Sequence, residues 1–110
     1  MIARVVPTRA GLCGLLSAVA VLALPLAARA ADARHGEVMA KRWCTSCHIV
    51  SSDQKAGSTQ APPFSAVAKM PGFDAGKVAF YLLIPHPQMA DIGLTRDDAA
   101  DLAAYIAKQK

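Results

Sequence analysis

Sustained strand alternation is missing from this sequence, as are internal repeats and a second long apolar run. The first absence disfavours folds that need alternating strands and helices, including the thioredoxin-type fold. Without a second apolar run, no membrane-spanning segment is expected beyond the N-terminal region. With 110 residues, the chain is also too short for a barrel or a doubly wound dinucleotide-binding fold.

Charge is absent from residues 11 to 28, and the basic residues Arg4 and Arg9 precede this apolar stretch. A positive start, an apolar segment and a small-residue cleavage site are the three parts of a secretory signal. The segment Ala28-Arg29-Ala30 fits the cleavage rule, so we predict a cleavable signal over 1–30 and a domain over 31–110. The alternative is an uncleaved anchor, although 18 uncharged residues are at the low end for a membrane span.

Acidic residues are absent from the predicted signal, which carries 3 of the 12 basic residues and none of the 8 acidic ones. Removing 30 of the 110 residues leaves 80, with nine basic and eight acidic side chains and a net charge of +1. At that net charge, the main argument for a nucleic-acid partner no longer applies. We expect an exported protein of the bacterial periplasm without stable membrane insertion.

The mature chain is predicted to be a small all-α domain with two long loops. The loops cover 49–63 and 85–91, which are rich in Pro, Gly, Ser and Gln or broken by two prolines. Asp74 is suited to be the N-cap of one helix, and Thr95 with Asp98 forms a capping box for the last one. Helices are expected over 33–47, 64–70 and from Asp74 to about residue 84, followed by one after Thr95.

The motif that carries chemistry is Cys44-Thr45-Ser46-Cys47-His48, or C-x-x-C-H. Positions three and four apart share one face of a helix. Cys44 and Cys47 can therefore each form a thioether to a haem vinyl group while His48 places its imidazole at the iron. This spacing is the attachment signature of a c-type haem. A chain of about 80 residues forms only a small, marginally stable core, and a covalent haem would enlarge that core.

Other readings of the same residues stay open. A Cys44–Cys47 disulfide would close a very small loop and stabilise little. The same two thiols, following a tryptophan, resemble the active site of a thiol–disulfide oxidoreductase. A zinc site could use Cys44, Cys47 and His48 with His35 or His86, but the second C-x-x-C or His pair usual for structural zinc is missing.

Over residues 34–108 the chain resembles a small monohaem class I cytochrome c. Gly36 resembles the small residue at which the first and last helices of that family cross, and 102–106, LAAYI, resembles its terminal-helix motif. Residues 61–64, APPF, resemble the family's Gly-Pro-x-Leu loop, with Ala61 in place of the glycine. The resemblance implies a fold of three to four helices around one haem c. It also implies that the Pro62 carbonyl accepts a hydrogen bond from the haem ligand His48.

The ligand on the other face of the iron is Met, His or none. Met39 shares a helix with Cys44 and is expected to be core, whereas Met70 and His86 remain possible. The resemblance favours Met89, which lies in a proline-bounded loop at the position of the family's distal methionine. His35 is expected to be a solvent-exposed residue of the first helical turn.

The resemblance implies a one-electron carrier, either a free shuttle or a small electron-accepting subunit of a dehydrogenase. No Ser/His/Asp set or paired carboxylate indicates an enzyme, and the alternative haem function is a protein with an open sixth site. Redox partner proteins would dock transiently on a monomer or small subunit, and basic side chains could form a positive rim or simply be scattered. Those side chains are Lys41, Arg42, Lys55, Lys69 and Lys77. The expected haem- and helix-packing residues are Phe64, Phe73, Phe80, Tyr81, Leu82, Ile84, Leu94, Leu102 and Ile106.

Overall fold

The computed structural model describes residues 28–57, 60–84 and 87–110. The predicted signal up to residue 27 and the loop residues Pro85 and His86 lie outside these ranges. Within them the chain is helical and contains no strand, which confirms the predicted all-α class. None of the helices in these ranges is both long and apolar enough to cross a bilayer.

The first helical segment consists of an α-helix, α1 (Ala33–Met39), that continues as a π-helical stretch, Ala40–Cys44. The Asp32 carboxylate begins it by accepting hydrogen bonds from the backbone N–H groups of Arg34 and His35. The predicted helix over 33–47 was three residues too long, because residues 45–47 form turns. The wider π geometry places Cys44 at the point where the helix gives way to these turns.

Three further helices follow: α2 (Phe64–Ala68), α3 (Ala75–Leu82) and α4 (Arg96–Ala107). The Asp74 carboxylate accepts from the N–H of Lys77, as expected of an N-cap. The capping box of Thr95 and Asp98 is confirmed in both directions. Both α2 and α3 end two residues earlier than predicted, and α1, α2 and α3 all contact α4.

The closest approach in the fold is between α1 and α4, at Gly36. A β-carbon on Gly36 would lie 2.1 Å from the backbone oxygen of Asp101 and 3.0 Å from the backbone nitrogen of Leu102. Both atoms are main chain and have no free rotation that would relieve the clash. Glycine is therefore required for this crossing, as the resemblance implied.

The hydrophobic core lies where these helices meet, and it differs in part from the predicted set. Of the nine expected packing residues, Phe64, Leu102 and Ile106 are buried, and Phe73, Leu82 and Leu94 are partly buried against the core. Phe80, Tyr81 and Ile84 lie outside this helical core, with exposed fractions of 67%, 56% and 42%, and their packing against a haem stays a prediction. α3 packs on the core through Val78 and Leu82, and Phe80, two positions from each of them, points to the opposite side of the helix. The core also contains Met39, as expected, together with Tyr105, Ala40, Val50 and Ala68.

A buried tyrosine connects α4 to the loop after α1. The Tyr105 hydroxyl donates to the Val50 carbonyl at 2.9 Å, and this hydrogen bond is buried. We expect Tyr105→Phe to lower the free energy of unfolding by about 1–2 kcal/mol, because it leaves the buried carbonyl without its donor. Urea unfolding of the holoprotein measures the change. The control is Tyr81→Phe, which removes the hydroxyl of an exposed side chain. An equal loss of unfolding free energy in both variants would contradict the prediction.

Candidate functional site

The C-x-x-C-H motif forms one tight turn at the end of the first helical segment. The Cys44 carbonyl accepts from the N–H of Cys47 at 3.2 Å and from the N–H of His48 at 2.8 Å. The second of these is an i, i+4 hydrogen bond, so the chain still follows helical geometry up to His48. The turn therefore keeps both sulfur-bearing side chains and the imidazole close along the backbone.

The His48 imidazole is oriented by Pro62, 14 residues further along the chain. The distance from His48 Nδ1 to the Pro62 carbonyl oxygen is 2.6 Å. A carbonyl oxygen only accepts, so Nδ1 carries the proton and donates it, which leaves the lone pair of Nε2 available for a metal. The Phe64 ring packs beside the imidazole, with 5.3 Å between the ring centroids. The structure thus brings together the two residues that the resemblance paired.

The backbone around His48 is held by Gln54, a residue that the sequence did not single out. Gln54 Nε2 donates to the carbonyls of His48 at 3.0 Å and Ala56 at 2.8 Å, while its Oε1 accepts from the N–H of Val50 at 2.9 Å. One side chain therefore bonds to the main chain at three places in this loop. A glutamine in a polar loop carries no pattern that predicts this, because the role depends on how the loop folds back.

The two thiols of the motif are both free, and Cys44 is half-buried while Cys47 is exposed. Burial, with a smaller contribution from Cys47, raises the pKa of the Cys44 thiol to about 11. A thiol–disulfide oxidoreductase needs the opposite, a cysteine whose pKa is lowered so that the thiolate is available near neutral pH. The environment of Cys44 therefore disfavours that alternative.

The possible ligands for the opposite face of an iron occupy different surroundings. Met89 is half-buried in the loop between α3 and α4, where it lines a small cavity with Leu82, Leu83 and Ile84. Its neighbour Gln88 has a positive φ of 74°, so the chain turns sharply just before Met89.

The other candidate ligands are buried in the core, exposed at the surface, or outside the described residues. Met39 is buried in the helical core, 4% exposed, and Met70 is 49% exposed after α2. His86 is not among the described residues. His35 is exposed as expected, but its Nδ1 lies 2.8 Å from the Asp101 carboxylate. In the described part of the chain, no group of three His, Cys, Asp or Glu side chains could hold a metal ion.

The chain is 47% identical over 93 residues to cytochrome c-552 of Bradyrhizobium diazoefficiens, an alignment that covers 84% of this chain and 89% of that protein. The chain belongs to the small c-type cytochromes. No protein-family model matches this cytochrome. No solved structure matches it at a significant level either.

Haem c is the cofactor of this cytochrome, and the residues present fit it. Two free thiols three residues apart match the two vinyl groups, and His48 keeps its Nε2 lone pair available for iron. Leu82, Leu83 and Ile84 line a small cavity beside Met89, together with Asp91. The two free thiols and the tautomer of His48 are therefore compatible with a covalently bound haem.

Proposed function

We propose that this cytochrome carries single electrons in the bacterial periplasm, with haem c joined to Cys44 and Cys47 and its iron held by His48 and Met89. The observation that carries the proposal is the 2.6 Å hydrogen bond between His48 Nδ1 and the Pro62 carbonyl. It fixes the tautomer that a metal-binding imidazole needs, directly beside two free thiols. When bound, the haem supplies a one-electron couple between Fe(III) and Fe(II).

The protein's own residues tune this site through hydrogen bonding and ligand type. Pro62 accepts from His48 and so raises the electron density on the imidazole, and Gln54 holds the main chain on which His48 sits. Met89 offers a soft thioether sulfur, which favours Fe(II) over Fe(III) and so raises the reduction potential. A second histidine in its place would lower the potential.

Met89→Ala is expected to abolish the weak long-wavelength absorption band of sulfur-to-iron charge transfer in the oxidised protein. The haem itself should remain, because Cys44, Cys47 and His48 are unchanged. The measurement is an optical spectrum of protein expressed in the periplasm with haem maturation, taken in the oxidised and reduced states. Carbon monoxide should bind to the reduced variant and not to the reduced parent protein.

Met70→Ala is the matched control for this assignment, since Met70 is exposed after α2. It should keep the charge-transfer band and the resistance to carbon monoxide. If the band survives in Met89→Ala and disappears in Met70→Ala, Met70 is the ligand. If the parent protein has no such band, attention turns to His86 or an open sixth site.

The setting of this electron transfer is also part of the proposal. Cleavage after Ala30 would release the domain over 31–110 into the periplasm, where it would serve as a free shuttle or a small electron-accepting subunit of a dehydrogenase. Two of the five basic side chains that could form a positive rim make contacts within this chain. Lys41 is paired with Glu37 at 2.6 Å, and the Arg42 guanidinium lies 5.5 Å from the Trp43 ring centre. Gel filtration of the periplasmic extract distinguishes a free monomer from a complex.

A further inference from the structure

Asp101 is a fully buried carboxylate that plays no part in the proposed haem site. It lies on α4 beside the start of α1 and is 0% exposed. Its Oδ1 accepts from the backbone N–H of Asp32 at 2.6 Å, and its Oδ2 lies 2.8 Å from His35 Nδ1. A buried carboxylate is tolerated only when donors and positive charge surround it.

The guanidinium of Arg29 supplies positive charge to this carboxylate. Its two terminal nitrogens lie 3.5 Å and 3.2 Å from the two oxygens of Asp101, a two-pronged contact that suits arginine. Arg29 also precedes the predicted cleavage point by one residue. Cleavage after Ala30 would therefore remove this partner from the mature chain.

The same cleavage creates a new positive charge at almost the same place. The N–H of Asp32 is already bonded to Asp101, and the backbone nitrogen of Ala31 is one residue away, which is at most about 3.6 Å along the chain. The α-amino group of Ala31 would thus lie within roughly 6 Å of the carboxylate even without rearrangement. Rotation about the freed Ala31 backbone can shorten this distance, because nothing precedes the residue after cleavage.

We propose that Asp101 is a buried receptor for the α-ammonium group of Ala31, which replaces the Arg29 guanidinium when the signal is removed. The proposal rests on cleavage after Ala30, and it does not depend on the haem ligands or on electron transfer. Its consequence is that α1 stays attached to α4 in both the precursor and the mature chain. Signal removal then exchanges one cation for another beside the buried carboxylate.

The other charges around Asp101 do not supply a replacement for Arg29. From α1 and its cap, Asp101 faces the carboxylate of Asp32 and the imidazole of His35, which is charged only when protonated. Nearby on α4, Asp97 and Asp98 are acidic. Burial raises the pKa of Asp101, but hydrogen bonds from Asp32 N–H, His35 and Arg29 outweigh it and the pKa is lowered overall. Without Arg29, the ionised carboxylate of Asp101 would be less stabilised at neutral pH unless another cation takes the position of the guanidinium.

The test is a nuclear magnetic resonance titration of the α-amino group in the mature holoprotein, after its first residue has been identified by terminal sequencing. We expect the chain to begin at Ala31 and the folded α-amine to bind its proton about tenfold more tightly than an unperturbed terminus. Since the pKa of the α-amine is then raised by folding, the interaction stabilises the protein below pH about 8 and is lost as the pH rises through the folded value.

Two variants make the result specific to Asp101. Asp101→Asn should return the α-amine to its ordinary proton affinity. Asp97→Asn, whose exposed carboxylate lies 4.0 Å from the Arg29 guanidinium, should leave most of the raised affinity in place. Insertion of one glycine between Ala31 and Asp32 should also abolish the effect without altering Asp101, which covers the case that Asp101→Asn does not fold. A mature chain that begins elsewhere, or an α-amine with ordinary proton affinity in the parent protein, would overturn the proposal.

Discussion

Replacing Gly36 with alanine is expected to lower the free energy of unfolding by about 3 kcal/mol or more, the upper end for overpacking in a closely packed core. The added β-carbon would lie 2.1 Å from the Asp101 backbone oxygen and 2.6 Å from its carbonyl carbon. Neither atom can rotate away, so α1 must move off α4. The buried contacts of Met39 and Leu102 and the bond from Asp32 N–H to Asp101 would loosen with it.

The measurement is urea unfolding of the holoprotein, compared with Gly76→Ala as the control. Gly76 also lies in a helix, but its nearest atom is the Asp74 side-chain oxygen at 3.2 Å, so a β-carbon there requires a shift of only a few tenths of an ångström in the carboxylate that caps α3. Alanine favours a helix over glycine by about 1 kcal/mol, so Gly76→Ala should be close to neutral or stabilising. Equal stability of the two variants would show that α1 and α4 do not cross as closely as the structure has them.

The second large effect concerns the two cysteines. With Cys44→Ser and Cys47→Ser combined, we expect haem to be lost completely when the protein is denatured, because a hydroxyl cannot form the thioether bond. Each single variant should keep a single covalent bond and retain some haem. The measurement is peroxidase-type haem staining after denaturing electrophoresis, together with the mass of the intact chain.

Ser46→Ala is the matched control, since Ser46 lies between the two cysteines and its hydroxyl is 3.8 Å from the Cys47 sulfur. It should keep covalent haem at the level of the parent protein. Haem that survives denaturation in the double variant would place the attachment elsewhere. A parent protein without haem, but with two titratable thiols, would return the thiol–disulfide alternative to consideration.

The beginnings of the helices could be predicted from the sequence, because they depend on neighbours three residues apart. Asp74, and Thr95 with Asp98, each cap a helix by bonds within one turn. The helix ends were predicted less well, since packing decides where a helix gives way to a turn. The sequence could not predict the π-helical stretch Ala40–Cys44 for the same reason.

The sequence by itself determined which chemistry to expect of this cytochrome, because C-x-x-C-H is a local motif whose spacing is the attachment signature of a c-type haem. Tertiary structure decided which groups meet across long stretches of chain. It joined His48 to Pro62, Gln54 to the His48 loop, and Asp101 to residues 66 to 72 positions earlier. The physical reason is that spacing fixes contacts within a turn, whereas contacts between distant segments depend on how helices rotate and cross when they pack.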